Sequence, residues 1–578
     1  MNKLQNRQMN EPTFPEEGST RSSLADMFWL GIAFVLHLLY FAAFQVERAC
    51  WRDEAHAWNL AIAPLRDFLP FFAYVEHQTG YLLALRAVSW ISADPFAAGV
   101  FSLLCTIAAG GVLAMLSRNL KPKPTLGLTA WTLTLLAPLL YRYTSCVIRP
   151  YAFAFLLHAC VLLGTTSLFS RYSVKRLLLL FPLIVLSVNT QPINLVGAYA
   201  VAGIWGLATL IQWFKIEQPT PLKALSSKLI GLPTVVVLSS IPMVIQSLRF
   251  ADKMKGVEPH VSSDALSLLV LAKFLATTIK NTTGPLSTAV DYALCFDPGA
   301  SLSRMLHHPA AGILFLAVTF TVLLLCRKPI MRSRQIEVLT LLALLFLLTG
   351  TGLWIASIYH VRMIEEIRSF SAMAPMAILM FAWVLDQNRV LRHLVLALML
   401  INAIAGLPAF SVHQPGRLTD AKDAANFIES HEQAGDVILL ANAQIGPSFS
   451  LYYQGAAPQT HHPYSSEVRF WDMVDLGRVA DAQTSQDKTH ARLEEAIRDG
   501  HRVWFVLSGS PAPEPTRYWY SPASLNGMES LLASRFNLIT NLQPRSRIEP
   551  VEVRLYDPMV QTTELIGQPA PPEPPASE

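Results

Sequence analysis

The sequence predicts a polytopic α-helical membrane protein of about 11 spans with a small α/β domain at its carboxyl end. Hydrophobic residues make up 52% of the 578 residues and charged residues only 15%, and the mean hydropathy is +0.36. Ordinary soluble domains carry about 25% charged residues. Uncharged apolar windows of roughly twenty residues recur along the chain, and a helix of that length crosses about 30 Å of hydrocarbon.

The apolar windows end near residue 410, and they divide the chain into four predicted regions. Residues 1–26 form a polar cytoplasmic tail, 27–410 a transmembrane domain, 411–560 an extracytoplasmic α/β domain, and 561–578 a disordered tail rich in proline and acid. The windows predict spans at about 27–45, 96–117, 125–142, 147–169, 177–190, 192–213, 229–247, 309–326, 336–357, 370–386 and 393–410.

Basic residues in alternate short loops predict the orientation of these spans. Because cytoplasmic loops of membrane proteins are enriched in Lys and Arg, the amino terminus is expected inside and the carboxyl-terminal domain outside a cell inner (plasma) membrane. The basic loops contain Arg118, Lys121 and Lys123; Arg171, Lys175 and Arg176; Arg327, Lys328, Arg332 and Arg334; and Arg389 and Arg392.

The segment from 411 to about 560 changes in character. "DAKDAANFIESHE" and "HARLEEAIRD" have helical spacing, whereas "DVILLA", "RVWFVLS" and "VEVRLYD" are short β-branched runs. This alternation is typical of a small α/β domain.

The stretch "CWRDEAHAW" follows the first apolar run and places two carboxylates, Asp53 and Glu54, just outside the membrane. Two interpretations are open. Such carboxylates can simply mark the helix end and extend into water, as surface ion pairs do. They can also be held in a partly buried geometry that changes their proton affinity for acid-base chemistry.

A second short motif, "AYVEHQTGYLLALRA", contains Glu76 and His77 and leads into the next apolar stretch. With the Asp-Glu-Ala motif before it, this order resembles the bacterial members of the GT-C superfamily of integral-membrane glycosyltransferases. That group includes the protein O-mannosyltransferases and the lipid A aminoarabinose transferases. Those enzymes have a His-Pro-type turn where this chain has "EHQTGY", so the chain departs from the pattern at His77.

The resemblance implies a reaction and a set of partners. Such enzymes transfer a sugar, usually with inversion, from a polyprenyl-phosphate carrier to an acceptor hydroxyl on the extracytoplasmic face. The expected acceptor is a lipid-linked glycan, lipopolysaccharide or another surface polymer, and nucleic acid is not an expected partner. The resemblance makes Asp53 and Glu54 the catalytic candidates. Asp53 would be the base, and Glu54 would position the acceptor or share its proton, with Glu76 and His77 as substrate-binding residues. No metal ligands are assigned, although a divalent metal is compatible with this chemistry.

Two arginines are candidates for the leaving phosphate, because such a reaction needs positive groups there. Arg149 and Tyr151 lie where an apolar helix begins, at the position of the superfamily's Arg-x-Tyr, and Pro150 suits a helix start that leaves N–H groups free for an anion. Arg149 could equally be an interfacial anchor. Arg368, in "EEIRSFSAMAP", matches an arginine that the superfamily associates with the lipid phosphate, and a local ion pair with the preceding glutamates is the alternative.

Two other classes of function compete with a glycosyltransferase. A lipid or glycan transporter or flippase would be expected to place ionisable groups near the membrane midplane and to show internal repeats, whereas here the charge lies at one face. A membrane anchor for a carboxyl-terminal binding module would not require so many spans. The sequence therefore favours a transferase.

Overall fold

The computed structural model describes most of the chain. The described residues are 17–74, 78–120, 124–170, 172–215, 222–253, 275, 341–353, 366–412, 417–441, 445–462, 469, 483–508, 522–546 and 549–559. They belong to two compact units. The first comprises Met1–Cys50 and Ala57–Arg417, and the second comprises Trp51–His56 and Leu418–Glu578.

The first unit is helical. Helix α2 begins in Trp51–His56, which belongs to the second unit, and continues into the first. The helices are α1 (Glu17–Gln45), α2 (Arg52–Ile62), α3 (Leu65–Tyr74), α4 (Thr79–Ser89), α5 (Pro95–Leu120), α6 (Pro124–Leu136), α7 (Tyr151–Ser170), α8 (Val174–Thr190), α9 (Asn194–Lys215), α10 (Leu222–Lys253), α11 (Leu341–Leu353), α12 (Glu366–Asp386) and α13 (Arg389–Val412).

Several of these helices are long and apolar enough to cross a membrane, as the composition predicts. In the described part of the chain the full-length candidates are Leu24–Gln45, Pro95–Leu120, Tyr151–Leu168 and Arg389–Pro408, and shorter apolar helices include Leu229–Ile245 and Ser371–Asp386. The expected span at 309–326 lies outside the described residues. The total of 11 spans stays a prediction.

Two helix boundaries differ from the sequence prediction. Helix α1 already begins at Glu17, so the second part of the expected polar tail is helical. The span expected at 125–142 ends as an α-helix at Leu136 and resumes as a π-helical turn at Leu140–Thr144. Pro138 explains the break, because its ring disfavours helix in the residue before it and it lacks the N–H that a continuing helix needs.

Close packing of α5 against α6 depends on one of two adjacent glycines, and this gives a first prediction. A Cβ atom on Gly110 would lie 2.2 Å from Cδ1 of Trp131, whereas one on Gly111 would lie 3.7 Å from the same ring. We therefore expect Gly110→Ala to lower the free energy of unfolding by about 1–3 kcal/mol, because Trp131 must move. Gly111→Ala is the matched control and should be neutral or stabilising by up to about 1 kcal/mol. Unfolding of both variants in detergent checks this, and equal effects would contradict it.

One end of the helical unit is joined by a buried ion network. Arg392, near the start of α13, lies 3.2 Å from Oδ1 of Asp26 on α1 and 3.4 Å from Oδ1 of Asp386 at the end of α12. Thr125 on α6 also donates a hydrogen bond to Asp386 at 2.7 Å. The side chains of all three charged residues are at most 4% exposed. The network therefore ties the first described helix to the last two of the unit.

The second unit contains a five-stranded sheet with strand order β2-β1-β3-β5-β4. Strand β1 is parallel to β2 and β3, and β5 is antiparallel to β3 and β4. The elements of this unit are α14 (Ala421–His431), β1 (Val437–Ala441), α15 (Gly446–Tyr452), β2 (Gln459–His462), α16 (Gln483–Arg498), β3 (Val503–Ser508), α17 (Pro522–Arg535), β4 (Phe536–Leu542) and β5 (Val551–Pro558).

Apolar side chains cover both faces of this sheet. Ile438 and Trp504 point to a core that includes residues of α14 and α15, whereas Leu439 and Phe505 point to a second core with residues of α16 and α17. The central strands are therefore apolar almost throughout, as expected for strands buried on both faces. Three of the five strands are the β-branched runs noted in the sequence.

Candidate functional site

The start of α2 places the two candidate carboxylates in the first turn of a helix. The carbonyl oxygen of Trp51 accepts hydrogen bonds from the N–H groups of Glu54 and Ala55, both at 2.9 Å. Asp53 and Glu54 therefore occupy the turn in which free N–H groups and the helix dipole favour negative charge. A left-handed backbone at Glu47, with φ of 52°, turns the chain between α1 and this segment.

The two carboxylates differ in accessibility. Glu54 is fully buried, whereas the Asp53 side chain is 22% exposed. Oδ1 of Asp53 lies 3.9 Å from Nε of Arg52. The guanidinium of Arg52 also stacks over the Trp51 ring, 5.6 Å from its centroid. The interpretation that both carboxylates simply extend into water is therefore wrong for Glu54. Asp53 is the more accessible of the two carboxylates.

A third carboxyl group, Glu549, belongs to the same compact unit as this pair, although no sequence motif points to it. The segment Trp51–His56 belongs to the same compact unit as Glu549. Glu549 is buried, with only 3% of its surface exposed. Ser448 donates a hydrogen bond to Oε2 of Glu549 at 2.9 Å. Almost 500 residues separate Glu549 from Asp53, and a lone glutamate before a strand carries no recognisable motif.

The surroundings of Glu549 favour its protonated form. The pKa of its carboxyl is raised from an ordinary 4.5 to about 7, mainly by burial and to the smallest extent by the negative charge of Asp53. The hydroxyls of Thr419 and Ser448 and the positive charge of Arg52 lower it and only partly offset the burial. A carboxyl that titrates near neutral pH beside an accessible carboxylate is a common feature of acid-base sites.

Arg149 and Tyr151 lie together in the first unit, where α7 begins. The Arg149 guanidinium is 5.8 Å from the centroid of the Tyr151 ring, and Tyr151 is 5% exposed. The carbonyl of Pro150 accepts the N–H of Ala154 at 2.7 Å, so Pro150 directly precedes the helix as the sequence predicts. The arginine is therefore held against an aromatic ring at a helix amino terminus, a suitable place for an anion.

The other candidate residues are less fully described. Glu76 and His77 lie outside the described residues. Arg368 lies in the first turn of α12, and only its backbone is described. Across the described ranges, no group of three or more His, Cys, Asp and Glu side chains is placed to hold a metal ion.

Comparison with known proteins shows a likeness in fold. No protein-family model and no curated protein matches the sequence. Among solved structures, ArnT from Cupriavidus metallidurans bound to undecaprenyl phosphate has 12% sequence identity and a TM-score of 0.51, and the match covers 91% of this chain and 97% of that one. The same transferase in the apo state gives 11%, the same coverage and a TM-score of 0.49. An Archaeoglobus fulgidus oligosaccharyltransferase in complex with Zn and sulfate gives 12% and a TM-score of 0.38, with 82% of this chain and 68% of that one covered.

Proposed function

Because this chain has the fold of the GT-C superfamily, to which ArnT belongs, we propose that it is a multi-pass membrane glycosyltransferase. It transfers a sugar from a polyprenyl-phosphate donor to a lipid-linked glycan, lipopolysaccharide or another surface acceptor, with inversion. The reaction takes place at the extracytoplasmic face of the inner membrane, with the amino terminus in the cytoplasm. The observation that carries the proposal is the combination of this fold with an accessible carboxylate, Asp53, in the first turn of the helix after the first span.

The proposed chemistry is a single displacement at the anomeric carbon. The acceptor oxygen forms the new bond to that carbon while the bond between the carbon and the phosphate oxygen breaks. The electron pair of the broken bond leaves with the polyprenyl phosphate, and the acceptor hydroxyl loses its proton to a base. The protein must therefore supply a base on one side of the sugar and positive charge on the other.

Asp53 suits the role of base because its side chain is accessible and lies in the first turn of α2. The guanidinium of Arg52 lies 3.9 Å away, and a carboxylate is the form that accepts a proton. Glu54 is fully buried beside it, so we assign Glu54 to positioning of Asp53 and the acceptor and not to direct proton transfer from a solvated position. This refines the assignment made from the sequence.

On the donor side, we assign Arg149 and Tyr151 to contacts with the donor phosphate or sugar. The ring of Tyr151 limits the freedom of the guanidinium, and a planar guanidinium can donate two hydrogen bonds to one phosphate. Arg368 is assigned to the lipid phosphate, and Glu76 and His77 to substrate binding, on the resemblance alone. A transporter is not favoured, because the solved structures that the chain resembles are those of transferases.

Mass spectrometry of surface glycans and glycolipids tests the proposed function. A host strain that lacks the protein is compared with the same strain carrying the wild-type gene. We expect one sugar-sized mass on a surface glycan or glycolipid only when the protein is present, and accumulation of a polyprenyl-phosphate sugar when it is absent. Identical glycans and lipids in both strains would contradict a transferase, and a lipid that changes sides of the membrane without a change in mass would support a transporter.

A further inference from the structure

One buried amide joins the starts of three helices in the first unit. Asn194 is the first residue of α9 and is fully buried. Its Nδ2 donates a hydrogen bond to the carbonyl of Ala154 on α7 at 3.1 Å, and its Oδ1 accepts one from the hydroxyl of Ser371 on α12 at 2.9 Å. Ala154 and Ser371 are also fully buried, so both hydrogen bonds lie away from water.

The short connection between α8 and α9 holds this amide in place. Nδ2 of Asn194 also donates to the hydroxyl of Ser187, near the end of α8, at 3.0 Å and lies 3.5 Å from the Ser187 carbonyl oxygen. The main-chain N–H of Asn194 donates to the carbonyl of Gln191 at 2.9 Å. Asn194 is therefore a fixed point between α7 and α12, two helices that pack against each other.

Packing of helices does not by itself require an amide at this position. A buried amide costs free energy unless its polar atoms are hydrogen-bonded, and an apolar side chain could fill the same space without that cost. The amide adds direction, because each hydrogen bond sets a distance and an angle to one partner. Asn194 therefore sets the separation of α7 and α12 at one level of the bundle.

The two candidate arginines for the donor lie close to the partners of this amide. Arg368 precedes Ser371 by three residues in α12, a rise of about 4.5 Å. On α7, Tyr151 precedes Ala154 by three residues, and the guanidinium of Arg149 lies 5.8 Å from the centroid of the Tyr151 ring. A change in the separation of α7 and α12 at the shared amide would therefore move both arginine positions.

We propose that Asn194 is a positioning residue for the donor lipid: it holds the starts of α7 and α12 at the separation that lets Arg149 and Arg368 bind one phosphate together. This rests on the proposed function. A guanidinium binds phosphate through paired hydrogen bonds, and such contacts require placement to within about 0.5 Å. Asn194 acts through the two arginines, and no bond to it forms or breaks.

Binding of undecaprenyl phosphate to the purified full-length protein tests this role. Ser371→Ala removes the hydrogen bond from α12 and leaves those to Ala154 and Ser187 in place. We expect Ser371→Ala to raise the Kd for undecaprenyl phosphate about 3-fold to 10-fold, the factor that corresponds to one hydrogen bond between membrane helices. The Kd for undecaprenol, which has the same chain and no phosphate, should stay the same, whereas a general loosening of the bundle would change both.

Ser187→Ala is the matched control. It removes another buried hydroxyl that binds the same amide, so both serine variants should lower the Tm by similar amounts. Only Ser371→Ala disconnects α12 from α7, so Ser187→Ala should bind undecaprenyl phosphate with the wild-type Kd. Asn194→Ala removes every hydrogen bond of the amide and should resemble Ser371→Ala, and the serine variants carry the test if Asn194→Ala does not fold.

A double-mutant cycle shows whether Ser371 acts through an arginine. Arg368→Gln removes the proposed contact with the lipid phosphate. If the amide acts by placing that arginine, adding Ser371→Ala to Arg368→Gln should raise the Kd by much less than Ser371→Ala does alone. Losses that simply add would contradict the proposed role.

The wild-type protein separates failure of this inference from failure of the proposed function. If wild type binds undecaprenyl phosphate more tightly than undecaprenol, but Ser371→Ala and Ser187→Ala have the same Kd, the inference is overturned and the proposed function stands. If wild type binds the two lipids equally, the donor site of the proposed function fails, and the inference fails with it.

Discussion

Replacing Asp53 by asparagine should lower the rate of sugar transfer by about 10²–10⁴-fold while the protein still folds and inserts into the membrane, because proton transfer by a positioned side chain contributes about that much. Asparagine keeps the size and the hydrogen-bonding capacity of the side chain, but it cannot accept a proton from the acceptor hydroxyl. The change mainly removes one partly exposed charge at a helix amino terminus, so its direct cost in stability should be only about 0.3–1 kcal/mol.

Asp67→Asn is the matched control for this experiment. Asp67 lies in the first turn of α3, its side chain is 28% exposed, and it is 3.4 Å from Nε of Arg66. Both substitutions remove a partly exposed aspartate next to an arginine at a helix start, and only one is expected to affect transfer. Initial rates with the lipid fractions of the deletion strain, at equal amounts of folded protein, check this. Transfer by Asp53→Asn at the rate of Asp67→Asn would show that Asp53 is not the base.

Some of these features follow directly from local sequence. The long apolar windows predict the helices well, because both helix formation and membrane insertion depend on stretches of about twenty neighbouring residues. The same is true of the apolar strands β1 and β3. Strand β2, with the sequence "QTHH", could not be found in this way, although His461 and His462 are 0% and 3% exposed. Its place in the sheet is set by pairing with β1 and not by its own pattern.

Long-range contacts are what local patterns miss. The sequence identifies Asp53 and Glu54 because they stand together in one motif, whereas only the fold places Glu549 in the same compact unit as Asp53. Arg392 is a similar case. The sequence places it among the basic residues of a cytoplasmic loop, whereas its side chain is buried against Asp26, which lies 366 residues earlier in the chain.

Replacing Arg392 by alanine should lower the free energy of unfolding of the helical unit by about 3–5 kcal/mol, because it leaves Asp26 and Asp386 buried without their common positive partner. Both carboxylate side chains are only 2% exposed, so water cannot replace the guanidinium. Adding Asp26→Asn and Asp386→Asn to the alanine variant should recover part of the loss, since no uncompensated charge then remains. Recovery of this kind would separate buried charge from simple loss of packing.

The control for Arg392→Ala is Arg389→Ala, at the first residue of α13. Arg389 is exposed, and its Nε contacts Nε2 of His393 at 3.5 Å. Both variants remove one positive charge from the same loop, so any effect of charge on membrane orientation is equal in the two. Unfolding of the purified proteins by SDS in mixed micelles measures the difference, and Arg389→Ala should cost no more than about 0.5 kcal/mol. A similar small cost for Arg392→Ala would mean that the three buried charges contribute little to holding α1 against α12 and α13, and that packing of apolar side chains alone fixes this end of the unit.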